Sequence, residues 1–145
     1  MITNRIEYLL LALVNLARKR EVDDGFALSR EIALEEHIPL NYMPQLMAML
    51  TKRGWVESLR GVNGGVRLVV DPKRITIKEV TDVSGDPVAV KKCVVEGCHL
   101  GKSNCLLLPL WKEMQQKIDE VMAATTIEDL LQNAAWEKDL THLFS

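Results

Sequence analysis

The chain has 145 residues, of which 48% are hydrophobic and 26% charged, and its formal net charge is −2. This composition fits one compact globular domain, or a small domain with a dimerisation segment, and it excludes a low-complexity chain. No apolar run is long enough to cross a bilayer. Arg5 and Glu7 interrupt the N-terminal apolar stretch, and no cleavage site follows, so we expect a cytoplasmic protein without membrane partners.

Positive charge is concentrated in the middle of the chain. Residues 41–80 hold seven basic and three acidic side chains, a local sum of +4, whereas residues 1–40 sum to −2 and residues 81–145 to −4. A local basic surface of this kind is what contacts to nucleic-acid phosphates require. Taken alone, the same charges could equally form a solvated face.

Three amphipathic helices are predicted in the first part of the chain, because apolar residues recur there at helical spacing. Their predicted bounds are residues 4–20, 30–36 and 42–53. Thr3 or Asn4 is expected to cap the first helix. Ser29 and Asn41 are expected to cap the second and the third. Pro44 falls in the first turn of the third helix, where a missing N–H costs little.

A β-hairpin is predicted after these helices. Gly54 ends the third helix, and two β-rich runs follow at residues 55–59 and 66–70. They are joined by Arg60-Gly61-Val62-Asn63-Gly64-Gly65, a turn rich in residues that tolerate positive φ. Three helices followed by a hairpin are the order of a winged helix-turn-helix. The predicted fold class is therefore mainly α with a small β-hairpin wing.

The rest of the chain is predicted to be helical apart from one loop. Residues 75–84 form a short helix, and residues 86–105, which hold all three cysteines, have little periodicity. A long amphipathic helix spans residues 106–124. Thr125 and Glu128 stand at capping-box spacing where a last helical stretch begins.

This order divides the chain into three predicted regions. They are a winged helix-turn-helix DNA-binding domain at residues 1–84, a cysteine-bearing loop at residues 85–105, and a dimerisation helix with a helical tail at residues 106–145. The long helix is assigned to dimerisation because a long helix appended to a winged helix-turn-helix usually supplies a dimer interface.

The second helix of a helix-turn-helix places its N-terminal side chains at base edges in the major groove. Here these side chains include Asn41, Tyr42 and Gln45. Asn and Gln can pair with adenine, and Tyr can donate to a phosphate. Arg60, at the hairpin turn, would lie beside the minor groove. The local pattern equally allows a helix pair used for packing.

The three cysteines, Cys93, Cys98 and Cys105, are separated by four and then six residues. Their odd number in a cytosolic chain disfavours a disulfide scaffold and leaves a soft-metal site or redox thiols. The spacing matches neither zinc knuckles nor a ferredoxin run, so an iron–sulfur cluster, zinc and unligated thiols remain open. His99 is awkward as a joint ligand with its neighbour, and Glu7 by itself is an ordinary first-turn acid.

Together these features resemble the IscR/NsrR family of iron–sulfur transcription regulators, over about Thr3 to Leu131. Asn41-Tyr42-x-x-Gln45-Leu46 is similar to the start of that family's recognition helix, Ser-Tyr-x-x-Gln-Leu. Arg60-Gly61-x-x-Gly64-Gly65 is similar to the family's wing. The three-cysteine loop before the long helix is the other specific match.

The resemblance implies a homodimer whose cluster is ligated by Cys93, Cys98 and Cys105. IscR-type members have a histidine three residues after the last cysteine, where this chain has Leu108. Glu7 aligns with the position at which NsrR-like members place an acidic ligand from the other subunit, so it becomes the fourth-ligand candidate. The NsrR-like pattern favours a 4Fe-4S cluster, with 2Fe-2S as the alternative.

The resemblance also implies binding to a palindromic operator in double-stranded DNA, with contacts from Gln45 and Arg60. Pro44 stands where IscR-like members have a Glu that helps to read the site, so we expect a different target sequence. The predicted function is transcription regulation in response to redox state, nitric oxide or iron–sulfur status.

Two other classes remain as alternatives. One is a cluster-free winged-helix regulator switched by its thiols or by a partner protein, and the other is a zinc-stabilised interaction module. An enzyme is the least favoured class, because no acid–base pair or nucleophile constellation stands out.

Overall fold

The computed structural model describes residues 1–60, 65–97 and 105–133, and within these ranges it forms helices and one two-stranded hairpin. The α-helices are α1 (Asn4–Val22), α2 (Ser29–Glu36), α3 (Met43–Arg53), α4 (Ile77–Ser84), α5 (Lys92–Glu96), α6 (Leu108–Ala124) and α7 (Ile127–Gln132). The strands are β1 (Val56–Leu59) and β2 (Gly65–Leu68), paired antiparallel. The predicted class, mainly α with a β-hairpin wing, is confirmed.

The starts of α1, α2 and α3 differ in how they are capped. Thr3 caps α1 as predicted, since its Oγ1 accepts a hydrogen bond from the N–H of Ile6 at 3.3 Å. The predicted caps Ser29 and Asn41 are wrong, because Ser29 is already the first residue of α2 and Asn41 lies inside the 3-10 turn Leu40–Tyr42. That turn is closed by a bond from the N–H of Tyr42 to the carbonyl of Pro39, so the chain coils before α3 begins.

The hairpin is shorter than the predicted strands but has a third backbone partner. Ala27 exchanges two hydrogen bonds with Val66, at 2.9 and 2.8 Å, so the segment before α2 extends the sheet by one bridge. This approach explains Gly65, because a Cβ at that position would lie 2.7 Å from the carbonyl oxygen of Ala27. The small glycine thus lets the wing pack against the helical part.

A second set of corrections concerns α4 and α7. The helix predicted from residue 75 begins at Ile77, with a capping box between Thr76 and Glu79. The predicted box of Thr125 and Glu128 is wrong by one residue, because the N–H of Thr125 still bonds to Val121 at the end of α6. The box that forms joins Thr126 to Asp129.

The main core is built around α1. It collects buried apolar side chains from α2, α3, the hairpin, α4 and α7, including Leu9, Leu13, Leu16, Ile32, Leu46, Leu50, Val66, Val80 and Ile127. A smaller cluster of Ile6, Val88 and Met122 joins α1 to α6. The segment expected to lack periodicity contains the short helix α5. No helix in the three described ranges is long and apolar enough to cross a membrane.

Candidate nucleic-acid interface and cysteine site

The helix-turn-helix pair is α2 and α3, held by the inner face of α3. Met43, Leu46 and Leu50 are fully buried there, and Met47 is nearly so. Helical periodicity therefore turns Gln45 outwards, and this side chain is exposed together with that of Asn41. Gly54 ends α3 in the left-handed conformation, which leads directly into the wing.

The structure brings three of the four predicted DNA-contacting residues together at the start of α3. Asn41 and Gln45 are exposed, whereas Tyr42 is half-buried. The Tyr42 ring packs edge-on against Tyr8 of α1, with ring centroids 5.1 Å apart and an angle of 73° between the planes. Tyr42 thus has a packing role that spacing along the chain did not indicate. It links the start of α3 to α1.

The fourth residue, Arg60, is exposed directly after β1, next to residues 61–64, which lie outside the described part. Two other basic side chains near the wing already have partners within the protomer. Arg67 pairs with Glu57 across the hairpin and lies over the Phe26 ring, 4.7 Å from its centroid. Arg53 lies over Trp55 at 5.3 Å. Arg60 thus remains the predicted DNA contact at the wing, whereas the side chains of Arg53 and Arg67 each pack over an aromatic ring.

Two of the three cysteines are described. Cys93 is the second residue of α5, and Cys105 lies three residues before α6. Both thiols are free of disulfides and half-buried. Cys98 and His99 lie outside the described residues. In the ranges that are described, no three His, Cys, Asp or Glu side chains come together to hold a metal, so Glu7, Cys93 and Cys105 form no such group within one protomer.

Gln115 is a positioning residue that the sequence analysis missed. It is buried on α6, where its amide nitrogen donates to the carbonyl of Val88 at 2.8 Å and its oxygen accepts from the N–H of Val90 at 2.8 Å. These bonds fasten the segment before α5 to α6, and so they position the backbone that leads to Cys93. No signal in the sequence indicated this role, because Gln115 is one of several polar residues in the amphipathic helix.

Glu7 is exposed in the first turn of α1. The helix around it is well anchored: the Thr3 hydroxyl donates to Asp86 at 2.7 Å, and Arg5 donates to the carbonyl of Ser84 at 3.2 Å. The Glu7 carboxylate is thus exposed to solvent at a helix start that hydrogen bonds hold in place.

Known proteins are similar to this chain in both sequence and fold. The chain is 30% identical to the transcriptional regulator IscR of Xenorhabdus nematophila over 133 residues, which cover 91% of this chain and 79% of that protein. The solved structure of T. potens IscR superposes with a TM-score of 0.72 at 25% identity, covering 92% of this chain and 88% of that one. CymR, the global cysteine regulator of B. subtilis, superposes with a TM-score of 0.75 at 26% identity, covering 91% and 96%.

These similarities confirm the expected relationship to IscR-type regulators, and they confirm that the chain is a transcription regulator and not an enzyme. A family model described as that of iron-dependent transcriptional regulators matches residues 2–133, which is nearly the whole chain. The protein is therefore a DNA-binding transcription regulator of the Rrf2 family.

Proposed function

We propose that this regulator acts in the cytoplasm as a homodimer on a palindromic operator, and that it senses its signal through an iron–sulfur cluster ligated by Cys93, Cys98 and Cys105. The signal is redox state, nitric oxide or iron–sulfur status. One observation carries the proposal: two free, half-buried thiols stand at either end of the segment that leads into a helix with an uncovered apolar face.

The uncovered face supports the dimer. Along α6 and its start, Leu107, Leu110, Met114 and Val121 recur at spacings of three and four residues or their sum, and each is 42–65% exposed. Apolar side chains at this spacing form a stripe that a second helix can cover. Another side of α6 is already occupied, because Gln115 and Met122 are buried against the protomer. We propose that two α6 helices cover each other's stripes.

The donor chemistry supports the cluster. Cysteine thiolates are the usual protein ligands of iron–sulfur clusters, and neither described thiol is committed to a disulfide. A carboxylate is the natural candidate for the remaining position, and we propose the partner subunit's Glu7. A bound cluster supplies electron-transfer and ligand-exchange chemistry. The Leu108 side chain offers no donor, so the IscR-type histidine has no equivalent at that position.

The Tyr8–Tyr42 contact supports a connection between Glu7 and the DNA-binding surface. Glu7 and Tyr8 are neighbours on α1, and Tyr42 is the residue from which α3 starts. A change in how Glu7 is held would therefore act on a helix that touches the recognition helix. A regulator of this kind needs two states with different affinity for DNA.

The test is anaerobic purification of the full chain, followed by an absorbance spectrum and assays of iron and sulfide. We expect a coloured protein with matching iron and sulfide, and loss of both in Cys98→Ala. Glu7→Ala is expected to leave the fold intact and make the cluster labile. Glu21→Ala removes an exposed acid from the other end of α1 and serves as the matched control. A colourless protein after reconstitution, or one with stoichiometric zinc, would contradict the cluster.

The structural similarity to CymR favours a second candidate, a regulator that switches through its thiols without a cluster. CymR is described as a cysteine regulator, and Cys93 and Cys105 are accessible enough for oxidation or for contact with a partner protein. This candidate predicts metal-free protein whose DNA affinity changes on mild oxidation and recovers with a thiol reductant. The cluster proposal predicts that metal-free protein lacks such a reversible response.

A further inference from the structure

A groove opens between the start of α2 and the start of α3. Its floor is formed by Met43 and Met47, and its rim by Leu40 and Pro44 on one side and by Leu28 and Arg30 on the other. We call it the α2–α3 groove. Leu40 is 60% exposed, although it is a large apolar residue. Pro44 and Arg30 are also exposed.

The groove lies beside the residue expected to read bases. Pro44 directly precedes Gln45, and consecutive side chains on a helix point about 100° apart. Leu40, in the 3-10 turn before α3, lines the groove together with Pro44 and Met47 of α3. Asn41 and Gln45 do not line it and form the adjacent polar face. A helix inserted N-terminus first into the major groove would bring both faces to the base edges.

The chemistry of the rim selects what it can recognise. Leu40 and Pro44 carry no side-chain donor or acceptor, and Pro44 has no backbone N–H either, so neither can pair with a base edge. The thymine C5 methyl is the one apolar group that the major groove presents. An apolar rim at this place can therefore contact the methyl group of thymine, whereas cytosine offers it no methyl group.

The other side of the groove complements phosphate. Arg30 supplies a positive charge at the start of α2. An exposed guanidinium at the edge of the groove suits a backbone phosphate. This charge favours nucleic acid over an apolar peptide as the occupant of the groove.

We infer that the α2–α3 groove seats a thymine methyl group of the operator, with Leu40 and Pro44 as the specificity-determining residues and Arg30 against the flanking phosphate. The inference rests on the proposed operator binding and adds to it what part of the sequence is read. The preference would be for A·T pairs at the positions facing the groove, read by apolar contact in addition to the hydrogen bonds of Gln45.

The experiment begins with duplexes selected by the full-length protein from a randomised double-stranded library. In the best duplex each thymine is then replaced, one at a time, by deoxyuridine, which removes only the methyl group. We expect at least one thymine per half-site at which binding weakens about fourfold at constant salt, the effect of burying one methyl group. Other thymines should tolerate the replacement.

Protein variants assign the effect to the groove. Leu40→Ser and Pro44→Ser are expected to bind thymine and deoxyuridine duplexes equally, since the apolar partner of the methyl group is gone. Leu34→Ser is the matched control, because Leu34 is 77% exposed on α2 but does not line the groove. It should retain the fourfold difference.

The outcomes separate the two levels of the proposal. Salt-dependent binding without any deoxyuridine effect, or an effect that persists in both groove variants, would overturn the inference and leave operator binding intact. A selection that yields no sequence preference at all would overturn the operator binding on which the inference rests. A methyl effect abolished in Leu40→Ser and retained in Leu34→Ser would establish it.

Discussion

The helices α1 and α6 are of similar length, with 19 and 17 residues, and both have an amphipathic pattern. They differ in how much of each helix is buried within the protomer. Seven residues of α1 are buried, because α2, α3, the hairpin, α4 and α7 surround it. Only two residues of α6 are buried, and three of its large apolar side chains, Leu110, Met114 and Val121, are exposed. An apolar stripe thus predicts that one face of a helix packs against apolar side chains. It does not predict whether those side chains come from the same chain or from another molecule.

The two regions also differ in what they carry. The part around α1 holds the exposed polar start of α3 on a close-packed base, as a surface that reads DNA requires. The part around α5 and α6 holds the described cysteines half-buried, where small molecules can reach them. The close-packed core and the accessible thiols therefore belong to different segments of the chain. The following variants test that separation.

The largest effect is expected from Ile127→Ala. Ile127 is fully buried in the core around α1, although it comes from the last described helix. Removing its side chain leaves a cavity and should lower the free energy of unfolding by about 2–5 kcal/mol in urea denaturation. Leu106→Ala is the control, because Leu106 is 94% exposed in the protomer. Equal losses in both variants would contradict the packing of α7 onto α1.

A smaller loss is expected from Gln115→Ala, which leaves the carbonyl of Val88 and the N–H of Val90 without their partner. The expected cost is about 1–3 kcal/mol. Because the segment before α5 is released, hydrogen exchange at Val90 and the reaction of Cys93 with a thiol reagent should both become faster. Gln116→Ala on the exposed side of α6 should change neither. An unchanged Cys93 rate would remove the positioning role of Gln115.

The uncovered stripe of α6 is tested by Leu110→Glu. A carboxylate within an apolar interface is costly, so the dissociation constant of the dimer should rise at least tenfold, or about 1.4 kcal/mol. Light scattering over a range of protein concentrations measures this change. Gln116→Glu adds the same charge on a different, exposed face of α6 and should leave assembly unaltered. If Leu110→Glu dimerises as tightly as the parent chain, the dimer interface does not include the stripe of α6.

The smallest effect concerns the polar cluster between α1 and α2. Hydrogen bonds from Lys19 and from the buried amide of Asn15 lower the pKa of Glu35 from its usual 4.5. A carboxylate whose folded pKa is lowered stabilises the protein above the unfolded value, and this contribution is lost as the pH falls below 4.5 through the folded pKa.

Glu35→Gln should therefore unfold with a weaker pH dependence below pH 4.5 than the parent chain. The Glu35 side chain is 48% exposed, so the cost at neutral pH should be at most about 1 kcal/mol. Urea denaturation at several acidic pH values provides the measurement. Glu31→Gln, on the exposed side of α2, controls for the loss of one charge. The idea fails if the two variants follow the same pH profile.

Local features of the sequence determined the order of elements. Helical and alternating periods identified the helices and the wing, and Gly54 ended α3 as expected. Gly85 ends α4 in the same way, since both glycines adopt positive φ. The caps were less predictable. Ser29, Asn41 and Thr125 all have capping side chains, but neighbouring turns and the preceding helix determined which residue stands at each helix start.

Tertiary structure alone decided which distant segments meet. Nothing in the spacing of residues 125–132 indicated that Ile127 would return to the core of α1, or that Gln115 would hold the backbone before Cys93. The Tyr8–Tyr42 contact and the α2–α3 groove arise in the same way, from elements brought together by packing. A period along the chain reports which face of a helix is apolar, whereas the partner of that face depends on how all the faces fit together.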